Sequence, residues 1–255
     1  MVCVDVLPTR DDSAKAAAAY VAKVVRDVVA AKGGARVIFA TGASQFEFLQ
    51  HLVATENLPW DKVEAFHLDE YVGLPITHGA SFRGYLQERL FSKVSPPMKA
   101  VNLLDPAELG AYEAALRAGP IDLACIGIGE NGHLAFNDPP CVFDEPEGRL
   151  VKIVDLPVSC RQQQVGEGWF ASVDEAPAQA ATLTMPAIMR AERLSVVCPD
   201  DRKADAVLAA TEGPLTADCP ASALRNHAHV VLWLDAPAAA KLSKATIEGT
   251  EAKPE

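Results

Sequence analysis

Short apolar runs alternate with longer amphipathic segments along most of the chain. Apolar runs rich in β-branched residues and bounded by Gly, Pro, Asp or Asn are typical of buried strands, whereas apolar residues at helical spacing predict helices. The pattern predicts strands at 36–40, 63–68, 101–104, 122–128, 150–156, 181–184, 194–198 and 230–234. It predicts helices at 11–32, from residue 45 to about residue 54, and at 80–92, 106–118, 185–190, 201–211 and 221–226. Residues 159–180 show no clear periodicity.

Strands that alternate with helices indicate βαβ units. We therefore expect an α/β fold, a doubly wound (Rossmann-like) and mostly parallel sheet with helices on both faces. The chain has 255 residues, a length that one α/β domain commonly reaches. We expect one domain over 1–248, followed by a charged tail over 249–255.

The densest group of polar residues follows the strand predicted at 122–128. Residues 127–139 read Gly-Ile-Gly-Glu-Asn-Gly-His-Leu-Ala-Phe-Asn-Asp-Pro, so His133 and Asp138 lie just past the carboxyl end of that strand. Ligands of open α/β sheets bind at this end, and histidine titrates near neutral pH. His133 is therefore a candidate general acid or base. The alternative is a glycine turn that carries a structural histidine.

Two other predicted strands also end in polar residues. Thr41-Gly42-Ala43-Ser44 precedes a helix, and its hydroxyl and N–H groups suit a phosphate, although a serine N-cap explains Ser44 equally well. Asp69 and Glu70 follow the 63–68 strand. Carboxylates are costly to bury, which favours a function over a solvated loop. The pair Arg202-Lys203 opens a later helix and could add a cation for phosphate, or be an ordinary surface pair.

Composition narrows the range of functions. The net charge of −11 and the lack of a Lys/Arg cluster argue against nucleic acid as a partner. No apolar run is long enough to span a membrane, and the N-terminus does not resemble a signal peptide. The six scattered cysteines include no CxxC pair and favour reduced thiols over disulfides or a zinc site. We expect a cytoplasmic protein with no bound metal.

Two long motifs resemble those of the glucosamine-6-phosphate deaminase (isomerase) family. They are Phe-His-Leu-Asp-Glu-Tyr-Val-Gly-Leu-Pro at 66–75 and Gly-Glu-Asn-Gly-His-Leu-Ala-Phe-Asn-Asp-Pro at 129–139, and the similarity extends from about residue 37 to 234. The resemblance implies a cofactor-free enzyme. It implies that Asp69 moves a proton between C2 and C1, that His133 opens the sugar ring, and that 41–44 and Lys203 bind the sugar phosphate.

The chain departs from this family at four places. Asn131 stands where many members have an acid, and Asp138 replaces the glutamate of an Asn-Glu-Pro motif. We expect Asn131 to orient the imidazole by a hydrogen bond without stabilising its cation. The family's phosphate-binding Arg, which precedes a Phe-Phe pair, has no counterpart at 166–170. The Arg that helps to bind an allosteric activator in some members falls near Leu150, so that regulation is not expected.

The sequence therefore predicts an aldose–ketose isomerase and deaminase that acts on glucosamine 6-phosphate or a close amino-sugar phosphate. The first alternative is a 6-phosphogluconolactonase, whose histidine motif typically continues with Thr-Ala-Ser and whose acidic motif has Arg in place of Tyr71. The second is a sugar-phosphate sensor domain, which the acidic composition and the lack of a helix-turn-helix segment disfavour. The expected partner is a small-molecule sugar phosphate. The oligomeric state, including a homo-oligomer, stays open.

Overall fold

Ten strands form two sheets in the computed structural model, which describes residues 2–166 and 168–248. In chain order they are β1 (Cys3–Leu7), β2 (Ala35–Phe39), β3 (Val63–His67), β4 (Asp69–Tyr71), β5 (Ala100–Val101), β6 (Leu123–Ile126), β7 (Val151–Asp155), β8 (Gln179–Leu183), β9 (Arg193–Val197) and β10 (Val230–Asp235). The larger sheet has the order β1-β10-β9-β6-β2-β3-β5, and all its pairs are parallel. The smaller sheet, β4-β8-β7, is antiparallel.

The described residues include eight α-helices, and the first is the longest. They are α1 (Arg10–Lys32), α2 (Phe46–Val53), α3 (Phe82–Leu86), α4 (Leu109–Arg117), α5 (Val158–Gly166), α6 (Met185–Met189), α7 (Ala204–Thr211) and α8 (Lys244–Glu248). Helix α1 begins where the Thr9 hydroxyl accepts a hydrogen bond from Asp12 N, an N-cap contact. It ends at Gly33, whose φ of 76° favours glycine. None of the helices within the described residues has the length and apolar character needed to cross a lipid bilayer.

Alternating side chains cover both faces of the parallel sheet. On β2, Val37 and Phe39 pack against α1 and α2, whereas Ile38 packs in the core on the opposite face. On β10, Trp233 and Leu232 divide between the two faces in the same way. Because side chains of a strand alternate, each continuous apolar run supplies two cores. The predicted doubly wound, mostly parallel sheet is confirmed.

The chain reverses its direction of travel across the sheet between β2 and β6. From β2 it proceeds outward through β3 to β5, and from β6 it proceeds the other way through β9 to β10. Such a switch point opens a crevice outside the carboxyl ends of the strands, where ligands of this fold class bind. The loops after β2 and β6 meet there.

The smaller sheet begins one residue after β3 ends. Leu68 separates β3 from β4, and its carbonyl accepts a hydrogen bond from Leu183 N at 2.8 Å. The chain thus leaves the parallel sheet and pairs with β8 at once, and Asp69 lies opposite Thr182. This sheet was not expected. The 150–156 and 181–184 runs are strands as predicted, but they pair with each other rather than in the main sheet.

Several predicted boundaries were wrong. The 101–104 strand ends at Val101, since Leu104 N donates to the His67 ring at 2.7 Å instead of to a neighbouring strand. The 80–92 helix is α3 followed by a π-helical segment, Gln87–Phe91. The elements β1, α5 and α8 were not predicted. Residues 249–255, expected to be a charged tail, lie outside the described residues.

Candidate active site

A cavity opens at the switch point and collects residues that are distant in sequence. The loops that follow β2, β3, β6 and β9 line it, together with the start of α1 and parts of the 79–85 and 160–169 segments. The polar residues on its wall include Thr41, Ser44, Asp69, Glu130, His133, Gln164, Asp200, Arg202, Lys203 and Arg10. The predicted phosphate loop, Asp69, His133 and Lys203 therefore lie in one cavity.

Asp69 is a buried carboxyl group on the cavity wall. It is 7% exposed. Burial raises its pKa to about 8, and the neighbouring charge of Glu70 adds to the rise. A carboxyl group with such a pKa can hold or release a proton near neutral pH, as a group that shuttles a proton must.

Glu70 is fully buried but points into the protein rather than into the cavity. Its two oxygens accept hydrogen bonds from the backbone N–H groups of Tyr71, Phe82 and Arg83, from Ser81 Oγ at 2.7 Å and from Arg83 Nε at 3.0 Å. All five partners are donors, which suits an ionised carboxylate. Glu70 therefore fastens the start of α3 to β4 and fixes the wall beside Asp69.

His67 is a second buried group that sequence reasoning missed. Its Nε2 accepts a hydrogen bond from Leu104 N, and burial lowers its pKa to about 4. The imidazole is therefore neutral at physiological pH and accepts a hydrogen bond from a backbone N–H group. Tyr112 OH donates a hydrogen bond to His67 O at 2.6 Å. Both the ring and the backbone of His67 are therefore fixed, two residues before Asp69. The sequence feature that could have indicated a buried histidine is the position of His67 within the apolar run 63–68.

The loop after β6 presents the His133 ring to the cavity. The ring packs directly on Gly129, where a Cβ atom would lie 2.2 Å from ring atoms. Gly132 has a φ of 85°, and a Cβ atom there would lie 2.9 Å from Cys219 Sγ. The two glycines are thus required for close approach and for a left-handed turn. His133 lines the cavity wall, as its predicted role as a general acid or base requires.

Asp138, rather than Asn131, contacts the imidazole. His133 Nδ1 lies 3.2 Å from Asp138 Oδ1. Asn131 accepts from the His133 backbone N–H and donates to Asp138 Oδ1 at 2.9 Å. The expectation that Asn131 orients the ring by a direct hydrogen bond was therefore wrong. Burial alone would raise the pKa of Asp138, but the interactions with His133 and Asn131 hold it below its ordinary value.

The predicted phosphate loop, residues 41–44, follows β2 and lies on the cavity wall. Gly42 has a φ of 95°, and its carbonyl accepts a hydrogen bond from Tyr85 OH at 2.9 Å. Ser44 is not an N-cap: it lies in a 3-10 turn, Ala43–Gln45, and its Oγ accepts from Gln45 Nε2 at 3.0 Å. With the Ser44 oxygen engaged as an acceptor, its proton is available for an anion.

Three cations lie around the same end of the cavity. They are Lys203, Arg202 and Arg10, of which sequence analysis had not identified Arg10. Arg202 pairs with Asp200 at 3.0 Å and with Glu130 at 3.3 Å. Trp169, from the segment where the expected phosphate-binding Arg is missing, lines the wall instead. The cavity thus combines an aspartate and a histidine with a cationic end, and no cluster of metal-binding side chains occurs within the described residues.

Comparison with known proteins agrees with this geometry. The family model described as glucosamine-6-phosphate isomerases/6-phosphogluconolactonase matches residues 8–233. A glucosamine-6-phosphate deaminase of Streptococcus agalactiae is 34% identical over 83% of this chain and 90% of its own. One from Exiguobacterium sibiricum is 36% identical over 86% of this chain and 85% of its own.

Solved structures show the same fold. A monomeric glucosamine-6-phosphate deaminase superposes with a TM-score of 0.83 at 28% identity and covers 94% of this chain and 99% of its own. A 6-phosphogluconolactonase from Trypanosoma cruzi superposes with a TM-score of 0.78 at 14% identity and covers 95% of this chain and 97% of its own. The latter likeness concerns the fold alone.

We expect the variants Asp69→Asn and Glu70→Gln to change stability in opposite directions. The raised pKa of Asp69 means that the folded state keeps its proton between about pH 4 and pH 8, whereas the unfolded chain releases it. Its contribution to stability therefore falls as pH rises through this window. Asp69→Asn should raise the free energy of unfolding at pH 8 by at least ~1 kcal/mol, or ~2–4 °C in Tm, and change it little at pH 4.

Glu70→Gln is the matched change. An amide cannot accept all five hydrogen bonds, so we expect a loss of ~3–5 kcal/mol. Denaturant unfolding of both variants at pH 4 and pH 8 measures these effects. Destabilisation by Asp69→Asn at pH 8 would contradict this account of the buried carboxyl group.

Proposed function

The chain belongs to the family of glucosamine-6-phosphate isomerases and 6-phosphogluconolactonases, and within it we propose that the protein is a glucosamine-6-phosphate deaminase. It converts glucosamine 6-phosphate, or a close amino-sugar phosphate, to fructose 6-phosphate and ammonia. The main support is one cavity that holds a buried carboxyl group of raised pKa, an imidazole that contacts the Asp138 carboxylate, and a cationic end. Relatives named as deaminases match most of the chain at 33–36% identity.

The phosphate group of the substrate occupies the cationic end of the cavity. Thr41, Gly42, Ala43 and Ser44 donate hydrogen bonds from the loop after β2, and Lys203 supplies a positive charge. An anion bound by amides, a hydroxyl and a cation in a partly buried site is held by charge-assisted hydrogen bonds. The sugar carbons then extend toward Asp69 and His133 on the same wall.

His133 and Asp69 move the two protons of the reaction. His133, which lies 3.2 Å from the Asp138 carboxylate, takes the proton of the C1 hydroxyl and passes it to the ring oxygen as the bond between C1 and that oxygen breaks and C1 becomes an aldehyde. Asp69 then removes the C2 proton while the aldehyde oxygen takes a proton from water, and Asp69 returns its proton to C1, so that the C2 amine becomes an iminium ion. The hydroxide left from that water adds to C2, the proton of the new C2 hydroxyl passes to the nitrogen, and ammonia leaves as C2 becomes a carbonyl. Asn131 acts indirectly: it positions Asp138 by the hydrogen bond from its amide.

The remaining assignments follow from this activity. Residues 1–248 form one sugar-phosphate domain, and the protein acts in the cytoplasm, where sugar phosphates are retained. Neither proton transfer requires a metal or an organic cofactor, because both use side chains of the cavity.

The activity test is direct. Purified protein given glucosamine 6-phosphate, with no added metal or nucleotide, should release ammonia and a ketose phosphate in equal amounts. A panel of amino-sugar 6-phosphates identifies the preferred stereochemistry. Hydrolysis of 6-phosphogluconolactone without ammonia from any amino sugar would reject the deaminase in favour of the lactonase. Sugar-phosphate binding with neither activity would indicate a sensor.

Asp69→Asn should abolish proton transfer and leave ligand binding largely intact. The base acts in the transition state, so kcat should fall at least ~10²–10⁴-fold. In the wild type, kcat/KM should fall as pH drops below about 8, because Asp69 is then protonated. Exchange of the C1 proton of fructose 6-phosphate with solvent deuterium measures this step on a substrate without an amine. A pH-independent exchange rate between pH 6 and pH 9 would contradict the role of Asp69.

Asn131→Ala should raise the pKa of the Asp138 carboxyl group. The side-chain amide of Asn131 donates a hydrogen bond to Asp138 Oδ1 at 2.9 Å and helps to hold that pKa below its ordinary value. The midpoint of the Asp138 carboxyl titration, followed by NMR, should therefore move to higher pH. Each pH unit corresponds to ~1.4 kcal/mol. An unchanged midpoint in Asn131→Ala would contradict this role of Asn131.

A further inference from the structure

The cationic end of the cavity contains an arginine that no part of the sequence pattern identified. Arg10 is the first residue of α1, and its side chain extends to the loop after β2. Its Nη2 donates a hydrogen bond to Ala43 O, and its Nε lies 2.9 Å from Glu47 Oε2. The side chain is 31% exposed and lines the cavity with residues 41–44. The guanidinium is thus held in place by two anchors.

Of the three guanidinium nitrogens of Arg10, Nη1 makes the weakest contact with the protein. Among the described residues, Arg10 Nη1 approaches Asp200 Oδ2 at 4.0 Å, which is too long for a hydrogen bond. Asp200 is itself occupied, since its carboxylate accepts three hydrogen bonds from Arg202, and these hold its pKa well below the ordinary value. Nη1 therefore keeps its donors for a ligand.

Asp200 is also fixed by the fold. Its backbone N–H donates to both oxygens of the buried Asp235, at 3.0 and 3.1 Å. This contact accompanies a φ of 92°, which is unusual for a residue with a Cβ atom. The spacing between Arg10 and Asp200 is consequently set by rigid elements, α1 on one side and the end of β9 on the other.

We propose that Arg10 binds the phosphoryl group of the substrate through Nη1. It supplies the second cation of the phosphate site, in addition to Lys203, and compensates for the arginine missing from 166–170. Nη2 on Ala43 O holds the guanidinium against the loop whose N–H groups bind the same phosphate. This inference rests on the proposed function for the identity of the sugar, but binding of inorganic phosphate tests it without turnover.

The experiment compares Arg10→Gln with Arg26→Gln. Arg26 lies on the same helix and bonds to Glu56 O at 2.6 Å, and it is not part of the cavity wall. Loss of a charge-assisted contact should weaken binding of inorganic phosphate, measured by calorimetry, by ~10- to 100-fold in Arg10→Gln only. With glucosamine 6-phosphate, KM should rise and kcat should change little. Equal phosphate affinity in Arg10→Gln and the wild type would overturn the proposal.

Glu47→Gln separates direct binding from loop support. If Arg10 binds phosphate directly, removal of the competing carboxylate should leave phosphate affinity unchanged or increase it. If Arg10 only braces the loop and depends on Glu47, affinity should fall, and that result would also overturn the proposal. Arg10→Lys should restore part of the affinity, because it keeps the charge but not the fork.

The two proposals fail separately. Ammonia release with an Arg10→Gln variant that binds phosphate normally would reject only the role of Arg10. Phosphate binding that depends on Arg10, without ammonia release from any amino sugar, would reject only the deaminase.

Discussion

The five hydrogen bonds accepted by Glu70 are the interaction on which the cavity depends. They join β4 to the start of α3 and fix the wall that carries Asp69. These donors replace water around the Glu70 carboxylate, so Glu70 can be buried. Asp69 is buried beside it, and its pKa is raised as a result. Two adjacent acids thus occupy separate environments: Glu70 is a buried acceptor of structural hydrogen bonds, and Asp69 is a carboxyl group of raised pKa on the cavity wall.

At the cationic end of the cavity, local charges matter more than the net charge of the protein. The protein carries a net charge of −11, so an anionic substrate is captured by local contacts rather than by the overall field. The arginines at this end have acidic partners, Glu47 for Arg10 and Asp200 for Arg202. These partners orient the guanidinium groups and limit the repulsion between them when no anion is bound. Orientation before binding reduces the entropy that a ligand must overcome.

Much of the architecture could be predicted from local sequence patterns. The helix that ends at Gly33 follows from spacing and a C-terminal glycine, and the buried strands follow from continuous apolar runs. The positions of Asp69, His133 and the 41–44 loop at strand ends followed from the same patterns. In a parallel sheet all carboxyl ends meet at one edge, so sequence position alone predicts that these groups converge. The local requirement for Gly129 and Gly132 was likewise visible as a glycine motif.

The chain's sequence by itself thus determined the doubly wound fold, the edge of the sheet that carries the cavity, and the place of Asp69, His133, Lys203 and residues 41–44 at that edge. Only the tertiary structure decided that Glu70 turns inward while Asp69 faces the cavity, that Asp138 and not Asn131 contacts His133, and that Arg10 joins the cationic end. The antiparallel sheet β4-β8-β7 was likewise not predictable from the sequence. The physical reason is that periodicity and turn residues encode local conformation, whereas these contacts join segments far apart in sequence or depend on side-chain directions that packing selects.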